Sequence, residues 1–154
     1  MSAALPPVID GHITGFDPKH PLTALNAFYR AFNQRDAEAM AKNWAHDAEV
    51  SMSNPLGGIA RGWPAIRSVY ERIFGAKARV HVVFHDYTLH TTQDVFYVVG
   101  RERGVMENGC AQLELAIRTS RLFRCMDGAW RQVHHHGSFD DAALLAAYHE
   151  ALAL

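Results

Sequence analysis

Residues Ala111–Met126 read AQLELAIRTSRLFRCM. Leu113, Leu115, Ile117 and Phe123 occupy odd positions, and Gln112, Glu114, Arg118, Ser120 and Arg124 alternate with them. A period of two puts the two sets on opposite faces of a β-strand, so one face of this segment meets a core. Three further runs flank it: ARVHVVFHDYTLH (78–90), DVFYVVGRERGVM (94–106) and WRQVHHHGSF (130–139), all dominated by β-branched and aromatic residues. The links between runs, TTQ, ENGC and DGA, are hairpin-sized, with Asn108-Gly109 and Asp127-Gly128 as turn signals. A meander of this kind must pair antiparallel.

Upstream the period changes to that of helices. LTALNAFYRAFNQR (22–35) spaces Leu22, Leu25, Phe28 or Tyr29, and Phe32 three to four residues apart, with Pro21 suited to a first helical position. Asp36 caps a second helix, DAEAMAKNWA, whose Met40 and Trp44 share a face. A short strand is expected at 48–52, a turn at NPLGGIARG (54–62), and a third helix in WPAIRSVYERIFG (63–75), where Ile66, Val69, Tyr70 and Ile73 form the apolar stripe and Gly75 the stop. The C-terminal DDAALLAAYHEALAL predicts a last helix capped by Ser138 or Asp140. Residues 1–20 lack apolar periodicity and read as an extended arm outside the core, which leaves 21–154 as one domain. Helices followed by a curved antiparallel sheet define an α+β domain with the helices on one sheet face. In the second run Phe96, Val98 and Met106 lie opposite Tyr97, Val99 and Val105, so the outer face is expected to pack as well, against a second subunit.

Composition limits the function classes. The chain of 154 residues carries a net charge of −1 with 49% hydrophobic and 20% charged residues. That balance argues against a nucleic-acid or anionic-membrane surface, which needs a concentrated basic patch. No apolar run approaches the roughly 20 residues of a bilayer span, and no secretory leader is visible. Cys110 and Cys125 have no CxxC spacing and fit reduced thiols in a cytoplasmic protein.

The ordered set AFYRAFNQRDAEAMAKNWAHDAEVSM, GIARGWPAIRSVY and TSRLFRCMDGAWRQVHHHGS resembles the nuclear transport factor 2-like superfamily, in particular its SnoaL-like, ketosteroid isomerase-like and kinase II association domain-like members, over Leu22 to Ser138. The resemblance implies a cone of cystatin-like type, in which three N-terminal helices lean on a strongly bent sheet and leave a cavity open at one end. It also implies homodimers through the outer sheet face and no cofactor.

The triplet His134-His135-His136 is not one cluster, because neighbours on a strand face opposite ways. His135 is expected to face inward with Val133, whereas His134 and His136 are expected outward with Trp130 and Gln132. A pair of outward histidines falls short of the three protein ligands of a zinc site, so no metal is expected. By the odd parity Thr119, Arg121, Arg101 and Arg103 should face the hollow, and buried guanidinium groups need a carboxylate, water or an anionic ligand. Asp47, Glu49 and the terminal carboxylate are the candidate internal partners. The resemblance places Arg101 and Arg121 at two pocket arginines of the kinase association domain, while Gly137 and Ile66 stand where that domain has a further arginine and a helix histidine. Asn54, in NPLG, stands where the isomerase carries its catalytic aspartate, and an amide is no base near neutral pH. The isomerase tyrosine corresponds to Phe28 or Tyr29, and its protonated acid to Ser120 or a neighbour.

Three readings follow. The favoured one is a pocket that binds a small, partly apolar molecule, such as a carboxylate, through Arg101, Arg121, His135, Tyr70 and Asn54, with Phe28 and Trp44 in the apolar wall. A second is an acid–base enzyme of the isomerase, cyclase or hydratase type, with His135 and Tyr70 as catalytic groups. A third is an oligomerisation module. Helical spacing also gives Phe28, Trp44 and Tyr70 a plain role in the core.

Overall fold

A computed structural model describes residues 4–139 and 141–152. Four long strands, β4 (Arg79–Thr91), β5 (Val95–Asn108), β6 (Ala111–Met126) and β7 (Ala129–Phe139), form an antiparallel meander. Short strands extend it at both edges. β1 (Val8–Ile9) pairs with β4, β2 (Ser51–Ser53) runs parallel to β7, and β3 (Ala60–Arg61) pairs with β2, giving the order β1-β4-β5-β6-β7-β2-β3. Helices α1 (Pro21–Asn33), α2 (Ala37–Asn43) and α3 (Trp63–Gly75) cover the inner face, and α4 (Ala142–Leu152) lies against β6 and β7. This is the cone-shaped α+β fold. No described helix is long and apolar enough to cross a membrane.

Local chemistry sets the element ends. His20 caps α1 by accepting from the Leu22 N–H at 3.1 Å, and Asp36 caps α2 by accepting from Ala39 N at 3.0 Å. Asp127 and Gly128 both take positive φ, 52° and 79°, as the two-residue turn between β6 and β7 requires. The Asp141 carboxylate accepts from Ala143 N at 2.8 Å at the start of α4. Ser138, one of the two residues expected there, belongs to β7, and the other, Asp140, lies outside the described residues.

The N-terminal segment is tied down rather than held outside the core. Ile9 is fully buried. Asn26 exchanges hydrogen bonds with the backbone of Ile13, donating at 3.1 Å and accepting at 3.3 Å. Gly11, at φ 94°, comes so close to Arg30 that a Cβ would sit 2.7 Å from its backbone. Two residues are too few for a period-two pattern to register, so the sequence hides this edge strand. The strand expected at 48–52 begins instead at Ser51, because the Asp47 carboxylate accepts from the N–H groups of Glu49 and Val50 and turns the chain there.

Candidate functional site

Between α1, α3 and the sheet the cone holds a partly open cavity, with about 50 Å³ of space for the centres of water molecules. Its wall is mainly apolar: Phe28 and Phe32 from α1, Val69 and Ile73 from α3, and Leu115 and Ile117 from β6. The turn Asn54–Leu56 and Tyr148 of α4 close it on two sides. The polar groups that reach it are Tyr70, Glu102, Arg121, His135 and Asn54.

Arg121 is the centre of the polar wall. Its parity on β6 carries it inward, where its side chain is 2% exposed. Nη2 donates to Glu102 Oε1 at 2.9 Å, Nη1 to Gln132 Oε1 at 2.9 Å and Nε to the Tyr29 hydroxyl at 3.3 Å. Tyr29 in turn donates to Glu102 Oε1 at 2.9 Å, and Gln132 Nε2 donates to Asn43 Oδ1 at 3.0 Å. The guanidinium carbon stands 3.6 Å from the centre of the Phe28 ring, within cation–π range. Burial alone would lower the arginine pKa. The neighbouring oxygens of Tyr29 and Glu102 outweigh it, and the group is held charged.

His135 sits directly across from Arg121 in the β6–β7 register and beside Met52 of β2. Among the described residues neither of its ring nitrogens has a hydrogen-bond partner, and the same holds for the Tyr70 hydroxyl. Burial, then the charge of Arg121, then His134 and His136 push the His135 pKa well below its usual 6.5, so the ring is neutral and offers one donor and one acceptor. Tyr70 is pushed up to about 12, chiefly by burial, and keeps its proton. Burial followed by the Glu102 carboxylate raises Tyr29 and Tyr148 as well.

Several expectations change. Arg101 points outward: its Nε donates to Asp86 Oδ2 at 3.2 Å on the outer face, with 51% of its side chain exposed. Arg103 is exposed too, and Glu102 takes the inward place between them. The cause is phase, since the buried set on β5 is Phe96, Val98, Glu102 and Met106. Arg121 therefore finds its partner in Glu102 rather than in Asp47 or Glu49, and the terminal carboxylate lies outside the described residues. Gln132 is fully buried and faces inward with Trp130, which packs edge-on against Phe96 at 4.9 Å. A one-residue register shift between Leu122 and Phe123 leaves Val133 as the extra residue of β7 and reverses the parity on its N-terminal side. Trp44 is buried but lies behind Tyr70, 6.3 Å between ring centres, and does not line the cavity. Ser120 has outward parity, between the buried Thr119 and Arg121.

Phe28, Tyr70, Arg121 and His135 do come together as expected. Asn54 lines the cavity, but its Oδ1 accepts from Leu56 N at 2.7 Å and shapes the turn. Gly137 stands tight against His135 and Pro55, since a Cβ there would lie 3.0 Å from His135 Nε2 and from Pro55 Cγ. Sequence reasoning missed Glu102 and Gln132. The even-numbered apolar set of β5 was the signal for Glu102; nothing in the sequence marks the bulge that turns Gln132. No group of three metal-ligating side chains occurs among the described residues.

The SnoaL-like domain family matches residues 22–142, and the chain belongs to that family. The fold is shared with solved nuclear transport factor 2-like proteins. A candidate dehydratase of that family from Streptomyces avermitilis aligns with a TM-score of 0.71 at 22% identity, over 78% of this chain and 93% of that one. A candidate calcium/calmodulin-dependent protein kinase type II association domain from Thiobacillus denitrificans aligns with a TM-score of 0.63 at 26% identity, over 79% and 95%. A nuclear transport factor 2-like superfamily protein from Salmonella enterica aligns with a TM-score of 0.66 at 18% identity, over 77% and 87%. No curated protein matches the chain.

Proposed function

We propose that this SnoaL-like protein holds a small, partly apolar molecule in the cone cavity. The observation that carries this reading is the set of unsatisfied polar atoms there: both nitrogens of His135 and the hydroxyl of Tyr70, buried without a partner beside apolar walls. A buried polar group left without a partner costs about 1–3 kcal/mol, so three such atoms on two residues that line one cavity favour an occupant that satisfies them. Arg121 supports the site from behind. Its charge is met by Glu102, which removes the motive for a carboxylate ligand that an unpaired guanidinium would have given. Thermal-shift screening with single-ring compounds tests the reading: at least one should raise the melting temperature in the wild type and not in His135→Leu. A screen in which no compound shifts the wild type rejects it.

A second reading, a cofactor-independent acid–base enzyme of the isomerase, cyclase or hydratase type, is favoured by the neutral imidazole of His135 facing the same space as the Tyr70 hydroxyl. The Streptomyces avermitilis neighbour is a candidate dehydratase, and dehydration is the same broad class of proton chemistry. Turnover of an alcohol or enone that survives in His135→Gln would reject His135 as its acid–base group.

The outer sheet face supports a homodimer. Tyr97 and Val99 are exposed there, at 39% and 46%, an apolar pair on a surface otherwise carrying Arg101, Arg118 and Glu114.

A further inference from the structure

Which small molecule suits the cavity follows from its charge balance and from an oxygen the ion pair does not use. Glu102 lines the cavity, and both of its hydrogen bonds, from Tyr29 and from Arg121, fall on Oε1. Oε2 takes none among the described residues. On the other side of Arg121 stands His135, whose two ring nitrogens are unpartnered. The cavity wall thus carries an anionic acceptor at Glu102, a neutral group able both to donate and to accept at His135, and a cation between them whose charge is already compensated.

We propose, building on the pocket reading above, that the cavity selects a neutral hydroxyl-bearing compound, an alcohol or phenol on a body of about one ring. One hydroxyl can donate to Glu102 and accept from the imidazole N–H with the same atom. A carboxylate would bring a second anion toward Glu102, and the Arg121 charge it would seek is already paired with that glutamate. An ammonium group would bring a second cation toward Arg121. Either ion would also lose hydration in a mainly apolar space. The size limit comes from the volume: about 50 Å³ open to water centres holds roughly four waters at the usual allowance of ~10–15 Å³ each.

The test is a matched series on one ring: toluene, benzyl alcohol, benzoate and benzylammonium, titrated calorimetrically into the wild-type protein at pH 7.5. Benzyl alcohol is expected to bind roughly tenfold tighter than toluene and than either ion, the worth of about one hydrogen bond. His135→Leu should retain toluene and lose the preference for the alcohol. Glu102→Gln, which removes the anion and leaves Arg121 charged, should raise benzoate above benzyl alcohol. The wild-type series needs no variant and decides the matter even where Glu102→Gln fails to fold. Benzoate or benzylammonium binding as tightly as the alcohol overturns the selectivity while leaving the pocket reading intact, as does toluene equal to the alcohol. Silence from all four probes overturns the pocket reading and this proposal with it.

Discussion

Arg121 and Glu102 form an ion pair with 2.9 Å between Nη2 and Oε1, and their side chains are 2% and 8% exposed. Two charges are thereby held beneath three helices, each dependent on the other and on Tyr29 and Gln132 for the remaining bonds. Burial makes the pair costly to break and unremarkable to replace. Removing one partner strands the other's charge, whereas a well-packed apolar pair of like volume is often neutral or better.

Arg121→Met alone and Glu102→Leu alone are each expected to lower unfolding stability by about 3–5 kcal/mol in urea titrations. The double variant should recover most of the loss. Additive losses in the double variant would show that the damage lies in packing rather than in unpaired charge.

Acid should weaken the fold through His135. Its folded pKa lies well below 6.5, so the unfolded chain binds the proton more readily. The contribution is complete above pH 6.5 and is lost as pH falls from there toward the folded value, at a slope of up to about 1.4 kcal/mol per pH unit. His134 is lowered too, again first by burial, but it is partly exposed and its share is screened. Stability curves between pH 7.5 and 5 should flatten clearly in His135→Phe. Parallel curves for the two proteins would assign the acid sensitivity elsewhere.

Tyr29 and Tyr70 should respond differently to loss of their hydroxyls. Tyr29 donates to Glu102 and accepts from Arg121, so Tyr29→Phe is expected to lose about 1–3 kcal/mol. Tyr70 has no hydrogen-bond partner among the described residues, so Tyr70→Phe should be neutral or slightly stabilising in the empty protein. Thermal melts of the two variants decide this. A large loss in Tyr70→Phe would reveal a bonded water or ligand on that hydroxyl.

Gly104 faces His81 and Val82 across the β4–β5 ladder, and a Cβ there would fall 1.9 Å from the His81 carbonyl oxygen. Gly104→Ala must therefore push the strands apart. It is expected to cost about 3 kcal/mol or more, against less than about 1 kcal/mol for Gly128→Asn in the β6–β7 turn, where nothing lies within 4 Å and asparagine tolerates positive φ.

Much of the cone was legible because β6 alternates without fault. Leu115, Ile117, Thr119, Arg121 and Phe123 are all buried, and the inward side followed from apolar residues alone. Arg121 and His135 were placed correctly on that basis. β5 defeated the same logic, since valine or aromatic residues occupy both phases near Phe96–Val99 and its charged residues sit on consecutive positions, Arg101-Glu102-Arg103. Only the buried Met106 and Phe96 fix the phase, and they place the glutamate inside. Gln132 was hidden for another reason: a bulge is a property of pairing, and one strand's sequence does not announce it. Trp44 has a core residue's spacing and lies one layer behind the ring it was expected to join.

The extra residue at Val133 gives the histidine triplet a meaning beyond any single contact. Sliding β7 by one place would bring His134 or His136 into the berth now held by His135, so an imidazole would meet the hollow whichever frame the ladder adopts. Val133 is the residue of β7 that the ladder leaves without a partner, so its deletion would keep Gln132 opposite Phe123 and His135 opposite Arg121 in an unbroken pairing.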